Sequence, residues 1–167
     1  GALSNNGEDL QLYNAAGVLI DEVNCAGKWF AGDNTTKQTM ERAGNVWPAS
    51  NVSRSDAGWQ NSQNPGGTPM AANTASEKVI ENSSQELSNG GNGAKGGNGE
   101  NEGSEFYSDG IVINEVLPSP DGPDETEEWI EIKNINSQEV DIAGWQIKDT
   151  TGTIKIYKFP AGSKISG

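Results

Sequence analysis

The chain has no histidine and one cysteine, Cys25. Without histidine it lacks the usual general base at neutral pH and the commonest metal ligand. A single cysteine excludes an internal disulfide and any cysteine-built zinc site. Bases are scarce too: 11 Lys and Arg stand against 24 Asp and Glu, for a net charge of −13. That balance argues against nucleic-acid binding through phosphate contacts, which needs clustered bases, and against docking on an anionic membrane. No apolar run approaches the ~18–20 residues that span a bilayer, so membrane insertion is not expected. The chain opens on Gly1 with no signal peptide before it, the start expected of a fragment or a processed protein.

Apolar residues make up 32% of the 167 residues and Gly accounts for 22 of them, so part of the chain cannot bury enough surface to offset its own entropy. Residues 1–73 open on a β-hairpin. Leu10 and Leu12, then Val18, Ile20 and Val23 across the Asn14–Gly17 turn, alternate with polar residues as on a half-buried strand. Thr39–Arg42 reads as a further short strand, and residues 64–73 (NPGGTPMAAN) as a loop closing this part. Trp29, Phe30, Trp47 and Trp59 are spaced too irregularly for a helix face and are expected to plug the open end of a sheet. Residues 74–108 read as a Gly-, Asn- and Ser-rich linker, with a brief strand at 76–80 before its most biased part. As a flexible coil that part would span on the order of 30 Å.

Residues 109–167 form the second structured part. Ile111, Ile113 and Val116 fit one strand, Trp129–Lys133 a second, and Val140 and Ile142 lead to a third at Gly144–Lys148. Ile154, Ile156 and the Tyr157–Pro160 run follow a tight turn at Gly152. Short strands at this spacing, with no amphipathic helix between them, predict an all-β protein built as a β-sandwich.

Certain motifs in this second part resemble the front half of the lamin tail domain, an immunoglobulin-like β-sandwich of nuclear lamins and many exported bacterial proteins. They are Ile113-Asn114-Glu115-Val116, Glu128-Trp129-Ile130-Glu131-Ile132 with Asn134, Val140-Asp141-Ile142, Gly144-Trp145-Gln146-Ile147 and Phe159-Pro160-Ala161-Gly162. The acidic WIEI strand and the INEV start resemble the bacterial branch. The first part is similar to the back half of the same domain, through Leu3–Leu10, Leu12-Tyr13, Gly17–Val23, Met40-Glu41-Arg42 and Gly67-Thr68-Pro69 with Asn73. The resemblance thus implies two halves in permuted order with one strand missing. A cut through tandem copies and a true circular permutation both give that order, and the cut needs fewer assumptions. In either case the halves are expected to dock, leaving an unpaired edge open to self-association. For function, the resemblance implies a non-catalytic, extracellular or cell-surface module that binds a protein or a surface component, or positions an exported enzyme. The competing readings are an accessory fragment of an exported hydrolase or nuclease, and a carbohydrate-binding module.

The chemical motifs are each weighed against a plainer role. Asp121, Asp124, Glu125, Glu127 and Glu128 crowd one loop and could attract a hard cation. They lack the spaced ligand pattern with its Gly turn, so a solvated acidic loop is the expected reading, and no cofactor is expected. Glu115 and Glu131 could form an acid–base pair, yet structural hydrogen bonding at strand ends is the better expectation. Asn114 and Asn134 are expected to bond loop backbone. Trp129 and Trp145 are expected to pack, with Gly144 as a turn residue. Trp47 and Trp59, set among Ser and Asn, are the aromatic residues better placed to face a sugar or a partner chain. Cys25 is expected to fill space. Asn34, Asn51 and Asn82 fit the glycosylation pattern, a match that chance supplies in so Asn-rich a chain.

Overall fold

The alternation at the start of the chain folds into β1 (Asp9–Tyr13) and β2 (Leu19–Asn24), an antiparallel hairpin. Asn14 shapes its turn: the side-chain Oδ1 accepts from the N–H groups of Ala16 (3.0 Å) and Val18 (2.9 Å), and Gly17 supplies a φ of 82°. Val18 lies in the turn and is exposed, so it does not join the buried face the alternation assigned to it. The structure is a computed structural model that describes residues 3–42, 58–74 and 110–167. The expected linker (apart from Thr74), the expected strand at 76–80 and Trp47 lie outside the described residues.

Next come β3 (Gln38–Arg42) and β4 (Trp59–Pro65), followed by β5 (Ile111–Leu117) and β6 (Trp129–Asn134). The remaining strands are β7 (Val140–Asp141), β8 (Gln146–Asp149), β9 (Lys155–Lys158) and β10 (Lys164–Ile165). The expected loop at the acidic run contains one helical turn, α1 (Asp124–Glu127), which follows Pro123. Pattern reading misses β10, and it misses β4. Its sequence, WQNSQNP, has low strand propensity and ends in a proline, and it is tolerated as a sheet edge paired only with β3.

Among the described residues two four-stranded sheets form, in the orders β2-β1-β8-β9 and β4-β3-β5-β6, with β7 and β10 as a separate pair. Every ladder is antiparallel. This is the all-β sandwich that the strand spacing predicts, consistent with the immunoglobulin-like type that the resemblance implies. Each large sheet draws strands from both structured parts of the chain: β1 pairs with β8, and β3 with β5. The expected docking of the two parts is therefore made by backbone ladders as well as by packing.

Leu10, Leu12, Ile20 and Val23 from one sheet meet Met40, Ile111, Ile113 and Val116 from the other, with Trp145 closing the same core. Burying each such side chain contributes about 1.5–3 kcal/mol. A charge among them is costly unless paired. One is present: Asp21, opposite Leu12 in the hairpin register, is completely buried.

Asp21 is held on three sides. Its Oδ2 accepts from Arg42 Nη2 at 2.7 Å and from the Ile113 backbone N–H at 2.8 Å, and its Oδ1 accepts from the Glu22 N–H at 2.9 Å. Arg42 Nε donates to the Ile113 carbonyl at 2.6 Å. The β3–β5 ladder registers Met40 with Val116 and Glu41 with Glu115, so no described strand residue pairs with Ile113 on that side. The ion pair takes both backbone groups in its place, and it also ties β2 of one sheet to β3 and β5 of the other. Removing the carboxylate would strand a guanidinium and a buried N–H. Asp21→Ala should lose about 3–5 kcal/mol of stability in urea denaturation, far more than an exposed substitution.

Candidate functional site: a buried carboxylate layer and an open edge

The outer face of the β4-β3-β5-β6 sheet is covered by residues 66–74. This segment is held by polar side chains rather than by apolar packing. Glu41 and Glu115 lie opposite each other in the β3–β5 register, and both are fully buried. Glu115 accepts from Thr39 Oγ1, from the Thr68 N–H at 3.0 Å and from Thr68 Oγ1 at 3.2 Å. Glu41 accepts from Thr68 Oγ1 at 2.8 Å and Thr74 Oγ1 at 3.0 Å. Glu131 takes the Met70 N–H at 2.6 Å and Asn114 Nδ2 at 2.5 Å. Asn114 and Asn73 exchange two amide hydrogen bonds, and Asn73 also donates to the Arg42 carbonyl at 2.8 Å. Gly67 (φ 74°) passes so close to Glu115 and Thr39 that a side chain there would collide with both.

Glu115 and Glu131 thus hold a covering segment, from within their strands rather than at the ends. Asn114 bonds side chains where loop backbone was expected. It is the extra residue where the β5–β6 register shifts between Ile113 and Glu115, which turns its amide toward Asn73. Asn134 does bond loop backbone, donating to the Gln138 carbonyl at 2.7 Å and accepting from the Asn136 N–H at 2.9 Å. Gly144 adopts a φ of 80° at the turn before Trp145, and Trp145 is buried in the core. Thr39, Glu41, Thr68 and Asn73 complete the carboxylate layer. The sequence signal for them was faint: a buried Glu reads as a solvated one when its cross-strand partner lies far along the chain.

The other expected sites come out differently. Trp59 is buried at 8% exposure, and the Arg42 guanidinium lies 4.7 Å from its ring centroid, so the aromatic surface expected there is not displayed. Asp121 and Glu125 are exposed. Asp124 has Asn5 Nδ2 at 3.5 Å, while Glu128 takes the Leu3 N–H. Among the described residues no group of three or more acidic or sulfur ligands stands where it could hold a metal ion. Burial pushes the Cys25 thiol up to about 11, keeping it protonated inside the core. No helix of the described residues is long and apolar enough to cross a membrane.

Two concavities among the described residues bear on binding. One, of about 240 Å³, is walled by Trp29, Asn34, Gln38 and Ser119, with Lys37 Nζ bridging Asn34 Oδ1 (2.9 Å) and Ser119 Oγ (3.3 Å) nearby. The other, of about 350 Å³, is an apolar groove lined by Leu3, Trp129, Ile130, Ile132, Ile147, Tyr157 and Phe159, with Glu128 at one end. It lies between β6, the edge of one sheet, and β8 and β9 at the edge of the other. Tyr157 is 57% exposed and meets Phe159 edge to face at 5.1 Å between centroids.

No strand among the described residues pairs with this edge. Ile113 gives its N–H and C=O to Asp21 and Arg42, away from β6, so Ile113 and Ile132 face each other as a non-hydrogen-bonded pair. The Ile135 N–H bond to the Gly110 carbonyl fits the same alternation. The N–H and C=O of Ile132, and by alternation those of Ile130, therefore point out from the sheet edge.

Residues 105–167 match the family model described as Lamin Tail Domain, of which residues 105–109 lie outside the described part. No curated protein and no solved structure matches the chain.

The carboxylate layer makes stability depend on pH. Burial raises the Glu115 pKa above its ordinary value of 4.5; hydrogen bonds from Thr39 and Thr68 pull it back, and the Glu41 charge adds to the rise. Burial raises Glu8 and Glu128 in the same direction. A carboxyl with a raised folded pKa binds its proton more tightly folded than unfolded. Its stabilisation is complete below the unfolded value and fades as pH rises through the folded one. The melting temperature should therefore climb between neutral pH and about pH 5. Glu115→Gln should flatten that climb, as thermal scans at the two pH values would show.

Proposed function

We propose that this chain is a non-catalytic interaction module, exported to the cell surface or the extracellular space, that holds a protein or a surface component. Its work is to tether or position an exported protein of which it is part. The two structured parts act as complementary halves of a lamin-tail-like sandwich of the bacterial type, in swapped order; the β1–β8 and β3–β5 ladders support this reading.

The observation that carries the proposal is the open groove beside β6. It offers an edge strand with outward N–H and C=O groups above an apolar floor, the arrangement that accepts an extended chain by strand addition. Main-chain pairing would supply affinity, while Ile147, Tyr157 and Phe159 would choose alternate side chains of the incoming strand. The chain's titratable groups support a structural division of labour. The buried carboxylates hold the covering segment, while Asp121, Glu125 and Glu127 of the acidic loop face solvent.

Two measurements test this. A displayed library of random extended peptides, selected on the whole chain, should enrich sequences with apolar residues at every second position. Tyr157→Ala should weaken the winners by about tenfold, near the free energy of one apolar side chain. Enrichment that ignores Tyr157, or none, would overturn the groove as the binding surface. Calcium titration followed by melting should leave the transition in place. A large rise lost in D121N/D124N would favour an ion site and the hydrolase-fragment reading instead.

A further inference from the structure

We infer that the groove's occupant is a second copy of this chain, docked by antiparallel pairing of β6 with β6 about a two-fold axis through Ile132. The inference rests on the groove being a strand-accepting surface, as proposed above, and names what it accepts.

Three observations converge on that register. Ile132 presents its N–H and C=O outward, so two copies meeting there can exchange both bonds as a hydrogen-bonded pair. With Ile132 facing Ile132, the next position sets Glu131 of each copy opposite Lys133 of the other. The two-fold makes this complementary charge pair twice, at the closely spaced, non-hydrogen-bonded position. Shifting the centre by one residue toward the start of the strand would instead bring Glu131 against Glu131 and Trp129 against Lys133. The outward groups of Ile130 and Ile132 allow either centre, and the charges of β6 favour the one at Ile132.

Lys133 is exposed, and Glu131, although it already holds the Met70 N–H and Asn114 Nδ2, has lone pairs to spare for a third donor. On the inner side, Ile130 and Ile132 of the incoming strand would cover the groove floor and bury the exposed Tyr157 ring. Opposing this is the repulsion of two chains each carrying −13. At physiological ionic strength that repulsion is screened beyond about 8 Å, while the contact pairs act within it.

Sedimentation equilibrium of the whole chain at that ionic strength should show a reversible monomer–dimer system. Lys133→Glu replaces two attractive pairs by two repulsive ones and should raise the dissociation constant about tenfold. Its melting temperature, read at dilutions where both proteins are monomeric, should be unchanged, which shows the fold intact. Ile132→Cys should cross-link to itself under mild oxidation well ahead of the exposed control Val18→Cys. A monomer at every concentration overturns the inference, as does a dimer indifferent to Lys133→Glu. A monomer that still binds the selected peptides at Tyr157 removes the self-pairing and leaves the module standing. A dimer of the stated register with no peptide binding does the reverse.

Discussion

A single interior carboxylate sets the geometry of this sandwich. Asp21 comes from the hairpin, Arg42 from the strand that starts the second sheet, and Ile113 from the part of the chain beyond the Gly-rich stretch. A buried ion pair contributes little net stability when its desolvation is counted. Here it does something a hydrophobic pair could not, because it satisfies the N–H and C=O of Ile113 in a central strand, where no described residue of β3 pairs with it. That substitution leaves β5 free to pair with β6 along its other edge.

The second organising device is polar as well. Glu41, Glu115 and Glu131 project from one sheet face and collect donors from residues 66–74, which cross over them. An apolar cover would hold at any pH, whereas a cover made of carboxylate hydrogen bonds carries the protonation state of its acceptors into the stability of the sheet. Glycine at position 67 is required by the same closeness. The acidic character of the chain is thus divided between an exposed loop around α1 and a buried layer that composition alone cannot distinguish.

Much of this architecture was legible in the residues. The alternation of Leu10, Leu12, Ile20 and Val23 gave the hairpin, and that of Trp129–Lys133 gave the edge strand, because half-buried strands print their period directly. Strand β4 was illegible because an edge strand paired on one side tolerates polar residues. Asp21 was illegible for a different reason: its partners sit 21 and 92 positions away. Nothing local marks an Asp at an interior position as paired. The groove beside β6 was illegible, since its floor assembles from β8, β9 and residues near the start of the chain.

Strand β5 is buried on both faces, yet it is flanked by strands from opposite ends of the chain. Arg42 and Ile113, 71 positions apart, must meet before the second sheet is whole. The hairpin β1–β2 closes over residues 14–18 and β5–β6 over residues 118–128, so both are available before the β3–β5 seam, which waits on a far longer closure whose entropy comes first. Until that seam zips, Ile111, Ile113 and Val116 face water along an unguarded β5. The interval between synthesis and closure is when this chain is most exposed to sticking, and its surplus of negative charge is then a safeguard that keeps unfinished molecules apart.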